Sequence, residues 1–166
     1  MIRMGALAIA AACGTAGAVS AATFRRKTAL LRETERFLHI LEAEISQHGT
    51  PLPELFSAQA EQTELLRDAL LLAAQKMRTG VPCREAAQQV ISLLEGEALK
   101  EAAAQLDALF AVLGRYDACS QAAACGQAIQ NISSLRRAAE EEEKKKGSLY
   151  RKVAWGLGAV FALALL

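Results

Sequence analysis

The sequence has little of what an enzyme, a metalloprotein or a nucleic-acid-binding protein requires. It contains only two histidines and four cysteines, and no two cysteines have the C-x-x-C spacing that is typical of zinc sites. It contains no phosphate-binding loop, nucleophile-elbow motif or zinc-protease motif. Residues 28–135 hold 14 acidic and 8 basic residues, which argues against the basic face of a nucleic-acid-binding protein. We predict no catalytic, cofactor-binding or metal-binding residue and no enzymatic activity.

Helix-breaking and strand-forming signals are also scarce. The three prolines are Pro51, Pro53 and Pro82, and no segment alternates apolar with polar residues as a strand does. The good helix formers Ala, Leu, Glu, Gln and Arg dominate the composition. The sequence therefore predicts an all-α fold.

Long uncharged segments are confined to the two ends of the chain. Residues 4–22 carry no charge and would form roughly 28 Å of helix. At the other end, residues 153–166 carry no charge and would form roughly 21 Å of helix. A start at residue 149 extends this helix to roughly 27 Å, provided that Arg151 and Lys152 extend toward the lipid headgroups. The lengths of roughly 28 Å and roughly 27 Å approach the thickness of a bilayer core, about 30 Å. We predict an N-terminal transmembrane helix over residues 1–24 and a C-terminal one over residues 149–166.

Basic residues flank both uncharged segments on the side that faces the middle of the chain. Arg25-Arg26-Lys27 follows the first segment, and Lys144-Lys145-Lys146 precedes the second. The positive-inside rule then places residues 25–148 in the cytoplasm and both termini outside. Two alternatives remain: "AVSAA" resembles the cleavage site of a signal peptide, and the last segment could be a core helix. A cleaved leader would make the chain an exported or membrane-anchored helical binding module.

Residues 25–148 predict one cytoplasmic helical bundle. An apolar stripe at helical spacing, which includes Leu38 and Leu41, continues the first helix beyond the first span. Gly49 is well placed to end this helix, because glycine is favoured just after the last helical turn. The sequence "TPLPEL" then begins a second helix, with Thr50 as its expected cap and Pro51 at its first position.

Similar signals mark the later helices. Gly80 ends a third helix, and Pro82 begins a fourth in "TGVPCREAAQQVI". Gly114 ends a fifth helix, and a long last helix begins near Asp117. We interpret Asp117 and Gln121 as a helix cap, with contact to a partner as the alternative. We expect free thiols at the cysteines of this region, which are Cys83, Cys119 and Cys125.

The order of these features resembles a known family. An uncharged first segment, "LEAEISQHGTPLPEL", "TGVPCREAA", "LGRYDACSQ", a charged long helix and an uncharged last segment follow one another. Over nearly its whole length the chain resembles stage III sporulation protein AB, a family of membrane proteins of endospore-forming bacteria. The central region is similar to the F-type domain of type II secretion systems. "TPLPEL" and "TGVPCREAA" resemble the two helix-opening turns of that domain. The first segment is richer in alanine than in many relatives.

The resemblance implies a function that composition alone does not give. It implies a non-enzymatic membrane platform in the secretion-like channel complex between mother cell and forespore, which is needed for endospore formation. The implied partners are the other channel subunits, in particular a secretion-type ATPase, and the lipid bilayer. The helical domain would lie on the mother-cell side. Neither a nucleic acid, a small-molecule substrate nor a cofactor is implied.

Overall fold

The chain forms helices joined by short turns. The computed structural model describes the backbone of residues 2–164 and the side chains of residues 22–145. Over these residues it contains no strand, so the all-α prediction is confirmed. The helices are α1 (Ile2–Gln47), α2 (Leu52–Ala60), α3 (Arg67–Arg78), α4 (Cys83–Ala86), α5 (Gln88–Gly96), α6 (Lys100–Val112) and α7 (Ala118–Ala164).

The predicted membrane spans, residues 1–24 and 149–166, lie almost entirely outside the described side chains. In the described part of the chain, no helix has both the length and the hydropathy required to cross a bilayer. Both spans therefore stay predictions, and so do the limits of the predicted domain, residues 25–148.

The chain divides into two compact units. The first consists of Met1–Thr28 and Ala138–Leu166, and the second is Ala29–Arg137. In the first unit, the Arg25 guanidinium lies 3.9 Å from the Glu143 carboxylate, and Lys145 lies 3.7 Å from Glu141, as its i, i+4 spacing predicts. Lys145 and Glu141 are both largely exposed, so their ion pair adds little stability.

The core of the second unit is built on the apolar stripe of α1. Phe37, Leu38 and Leu41 have no exposed surface, which confirms that the stripe packs inside the bundle. The Phe37 ring meets Phe56 of α2 edge to face, with 5.1 Å between ring centroids. Phe56 in turn lies 6.0 Å from Phe110 of α6. Aromatic pairs at these distances are favourable, and together they connect three helices through the centre of the unit.

Two local predictions were wrong. Thr50 does not cap α2, because its hydroxyl donates a 2.6 Å hydrogen bond to the Glu44 carboxylate at the end of α1. Pro51 occupies the cap position of α2 instead, so the helix begins one residue later than expected. The predicted fourth helix is divided at Ala87 into α4 and α5. Ala86 and Ala87 are fully buried, and α4 and α5 both pack on α3 and α6, so tertiary packing overrides local helix propensity there.

Candidate functional site

Three turns that the sequence predicts meet at one end of the second unit. They are residues 48–53, 79–83 and 114–117, and we call this surface the three-turn end. Leu52, Val81 and Gly114, one residue from each turn, line the same surface depression. A Cβ atom on Gly114 would lie 3.7 Å from the Leu52 methyl group. The motifs that carry the family resemblance, far apart in sequence, therefore lie side by side.

The backbone at the three-turn end depends on glycine. Gly49, Gly80 and Gly114 have φ angles of 63°, 88° and 77°, a region that residues with a side chain rarely adopt. Each follows the last turn of a helix, and the N–H of Gly80, for example, donates to the Met77 carbonyl oxygen at 3.0 Å. The sequence predicted all three as helix ends, and the structure confirms them.

The third turn is held by its own polar side chains. The Asp117 carboxylate accepts hydrogen bonds from the Ser120 backbone N–H at 3.0 Å and from the Ser120 hydroxyl at 2.8 Å. These bonds hold the pKa of Asp117 below its ordinary value. Gln121 accepts a 3.1 Å bond from the Gly114 N–H and donates to the Tyr116 carbonyl oxygen. The cap interpretation of Asp117 is confirmed, and Gln121 braces the turn.

Arg115 and Tyr116 lie in the turn that the hydrogen bonds of Asp117 and Gln121 hold, and their side chains are exposed to solvent. Tyr116 is 61% exposed, and Arg115 is also exposed. Tyrosine and arginine are enriched at the energetically important positions of protein interfaces. The turn therefore presents an aromatic ring and a positive charge on a backbone that is fixed from both sides.

The depression at the three-turn end is lined mainly by apolar side chains and by two arginines. Its volume is about 310 Å³. The apolar part is lined by Leu52, Pro53, Met77, Val81, Pro82, Cys83, Phe110 and Leu113. Two arginines, Arg84 and Arg115, complete the lining together with Gly114, and no carboxylate among the described residues takes part in it.

The two arginines differ in how their charge is compensated. Arg84 donates two hydrogen bonds to Asp107 of α6, of 2.8 and 2.6 Å. These bonds hold the pKa of Asp107 below its ordinary value and raise that of Arg84. Both arginines also line a mixed-charge groove of about 590 Å³, together with Asp107, Glu85, Glu95 and Lys100. Arg84 is thus neutralised by its partner.

At the opposite end of the second unit, polar groups are paired within the chain. We call this the capped end. The Glu33 carboxylate of α1 accepts hydrogen bonds from the N–H groups of Glu64, Leu65 and Leu66 at 3.3, 2.9 and 3.2 Å, which caps the start of α3. Arg136 of α7 forms an ion pair with Glu35, and both side chains are mostly buried. Sequence reasoning missed these contacts, because they join residues more than thirty positions apart.

The groups that could carry chemistry in the described part of the chain are thiols and possible metal ligands. No group of three or more His, Cys, Asp or Glu among them could hold a metal ion. Cys83, Cys119 and Cys125 are free thiols, as predicted. Burial raises the pKa of Cys83 to about 12, and burial together with the charge of Glu42 raises that of Cys125 to about 12. Neither thiol is a nucleophile at neutral pH, because only the thiolate reacts.

Comparison with known proteins gives one match. A model of the family described as stage III sporulation protein AB matches residues 3–166, essentially the whole chain. No curated protein and no solved structure matches the chain. The match covers both uncharged ends and all three turns of the three-turn end, which is the extent that the motif order predicted. The chain therefore belongs to the stage III sporulation protein AB family, and its role is in sporulation.

Proposed function

We propose that this protein is a non-enzymatic membrane platform in the channel complex between mother cell and forespore. In this proposal its second unit presents the three-turn end to another subunit of the complex, the secretion-type ATPase. The observation that carries the proposal is the family match over residues 3–166. The convergence of three turns that resemble family motifs supports it, because surfaces that bind partners are commonly built from loops on a rigid scaffold.

Membrane anchoring is part of the proposal and rests on the sequence. Uncharged segments lie at both ends of the chain, and each has a basic cluster on its inner flank. This arrangement supports two spans with the helical domain in the cytoplasm of the mother cell and both termini outside. It also accounts for the Glu-rich and Lys-rich run at residues 140–146, whose i, i+4 pairs support a helix in water.

The absence of enzymatic activity is likewise proposed. The sequence carries no catalytic motif, and its two buried thiols have pKa values of about 12. We therefore propose that the helical domain holds other proteins in place.

The test is purification of the tagged full-length chain from sporulating cells. We expect the chain in the membrane fraction after an alkaline carbonate wash, together with other channel subunits and the ATPase. N-terminal sequencing should find residue 1 or 2 at the start of the mature chain. A start near residue 22 or 23 would favour the exported module, and release of the chain by carbonate would contradict membrane anchoring.

A further inference from the structure

We propose that the three-turn end binds an acidic segment of a partner protein, with one apolar side chain of that segment inserted in the depression. This inference rests on the proposed function and adds the chemistry of the contact. It commits to a carboxylate of the partner beside Arg115 and an apolar anchor beside Leu52 and Val81.

The lining of the depression leaves apolar surface exposed to solvent. Leu52, Pro53, Met77 and Val81 are each partly exposed, so their apolar surface is not fully covered within the chain. A volume of about 310 Å³ is at the lower limit of small-molecule pockets. An inserted side chain would occupy part of it and remove apolar surface from water, which is favourable by about 25 cal/mol per Å².

The charged side chains that line the depression are both basic. The second unit is acidic, yet the described residues that line this depression include two arginines and no carboxylate. Arg84 is compensated by Asp107, whereas the side chain of Arg115 forms no hydrogen bond or ion pair within the described residues. Arg115 also lines the neighbouring groove with Glu85, Glu95 and Asp107, but none of these carboxylates pairs with it. A single uncompensated guanidinium beside an apolar hollow suits a carboxylate, because arginine binds carboxylates with two parallel hydrogen bonds.

The rigidity of the third turn favours a preformed site. The side chains of Asp117 and Gln121 fix the backbone on both sides of Arg115 and Tyr116. Binding of a partner therefore costs little backbone conformational entropy in this turn. Tyr116, which is 61% exposed, would be covered by the same segment and would shield the ion pair from water.

The experiment is photo-crosslinking of the full-length chain in sporulating cells. A benzophenone amino acid replaces Tyr116, and the matched control replaces Leu71, since these two are the large apolar residues exposed in the described part of the chain. Leu71 lines a different depression, together with Glu61, Glu64 and Asp68. We expect a partner to be crosslinked from position 116 and not from position 71.

The crosslinked peptide and two charge variants decide the chemistry. We expect mass spectrometry to find a carboxylate in the partner within about one helical turn of an apolar residue. Arg115→Glu should lower the crosslink yield about tenfold or more. Arg67→Glu, at an exposed arginine beside Leu71, should leave the yield unchanged. A second substitution, of the partner carboxylate by Lys, should restore the crosslink of Arg115→Glu.

Several results would overturn the inference. They are a crosslink to a second copy of this chain, a crosslinked peptide that has no carboxylate, and an unchanged yield for Arg115→Glu. If position 116 gives no crosslink while the chain still co-purifies with channel subunits, the inference fails and the proposed function stands. If no channel subunit co-purifies, the proposed function fails and the inference fails with it. An unchanged thermal midpoint of Arg115→Glu shows that loss of binding is not loss of folding.

Discussion

The two ends of the second unit treat their polar groups in opposite ways. At the capped end, Glu33 covers three backbone N–H groups of the α2–α3 turn and Glu35 pairs with Arg136. At the three-turn end, hydrogen bonds fix the backbone, but Arg115 and Tyr116 face solvent. The two ends are separated by the α1 segment from Glu33 to Gln47, roughly 21 Å of helix.

This difference suggests that the capped end contributes mainly to the stability of the fold and the three-turn end mainly to the binding of a partner. A buried backbone N–H that has no acceptor destabilises the folded state. The hydrogen bonds and the ion pair of the capped end provide partners for its polar groups, so they help to hold α1, α3 and α7 together. An exposed charge and an exposed ring at a fixed turn contribute little to folding, because their surroundings hardly change when the chain unfolds. We therefore expect substitutions at the capped end to change stability and those at Arg115 to change binding.

The largest expected effect on stability comes from a substitution in the core, which supports both ends of the second unit. Leu41→Asp places a carboxylate at a position with no exposed surface, and burial of a charge without a partner is very costly. We expect the fragment of residues 28–137 to unfold, as seen by loss of a cooperative thermal transition. Leu41→Ala should lower its free energy of unfolding by about 2–5 kcal/mol. An unchanged midpoint for Leu41→Asp would mean that this helix docks on another subunit instead.

A smaller effect is expected at the capped end. Glu33→Ala removes the acceptor of three N–H groups, and we expect the free energy of unfolding to fall by about 0.5–2 kcal/mol, the range of other lost helix caps. Hydrogen exchange should accelerate at Leu65 and Leu66. Glu33→Gln keeps an acceptor and should retain part of the stability. An equal loss of stability in both variants would show that the charge of Glu33, and not its hydrogen bonds, stabilises the fold.

A gain in stability is expected at the α5–α6 turn. Ala98 has a φ angle of 58°, where glycine is favoured, and its N–H and that of Leu99 bond back to Glu95 and Leu94. Ala98→Gly should therefore raise the free energy of unfolding by about 1 kcal/mol. The same change at Ala104, an exposed position within α6, should lower it by about 1 kcal/mol. Denaturant titration measures both, and equal signs would contradict the assignment of strain.

The smallest expected effect concerns the cap of the third turn. The pKa of Asp117 is held below its ordinary value in the folded state, mainly by the Ser120 hydroxyl and backbone N–H. Its contribution to stability is therefore complete above the ordinary pKa of about 3.9 and is lost as the pH falls through the lower folded-state value.

Asp117→Asn tests this dependence, because asparagine also caps helices but does not titrate. We expect little change in stability at neutral pH and a smaller loss on acidification than in the natural chain. Asp107, whose pKa is also lowered, stays in place in both proteins and serves as the internal reference. Identical acid profiles would show that the charge of Asp117 is not linked to folding.

Local signals in the sequence predicted the helix ends, the start of the last helix and the buried face of α1. Gly49, Gly80 and Gly114 marked helix ends because the backbone needs positive φ there, and Asp117 marked a helix start because its carboxylate reaches a nearby N–H. The burial of Leu41 followed from helical spacing alone. Each signal lies within a few residues of the feature that it predicts.

What sequence reasoning missed depends on contacts between distant residues. Thr50 had the chemistry of a cap, but in the folded chain its hydroxyl donates to the Glu44 carboxylate. Glu33 caps α3 from another helix, and nothing near Glu33 in sequence signals this role. The depression at the three-turn end is formed only when three separate turns converge, so its location could not be read from any one of them.

The thiol of Cys119 gives the three-turn end a natural chemical reporter. It lies three residues from Tyr116, in the first turn of α7, and is exposed, whereas Cys83 and Cys125 are buried with pKa values of about 12. In a chain with Cys13 replaced, a maleimide should react first at Cys119. The alkylation rate then becomes a footprint of occupancy: a partner seated on this surface slows the reaction, and its dissociation restores the rate.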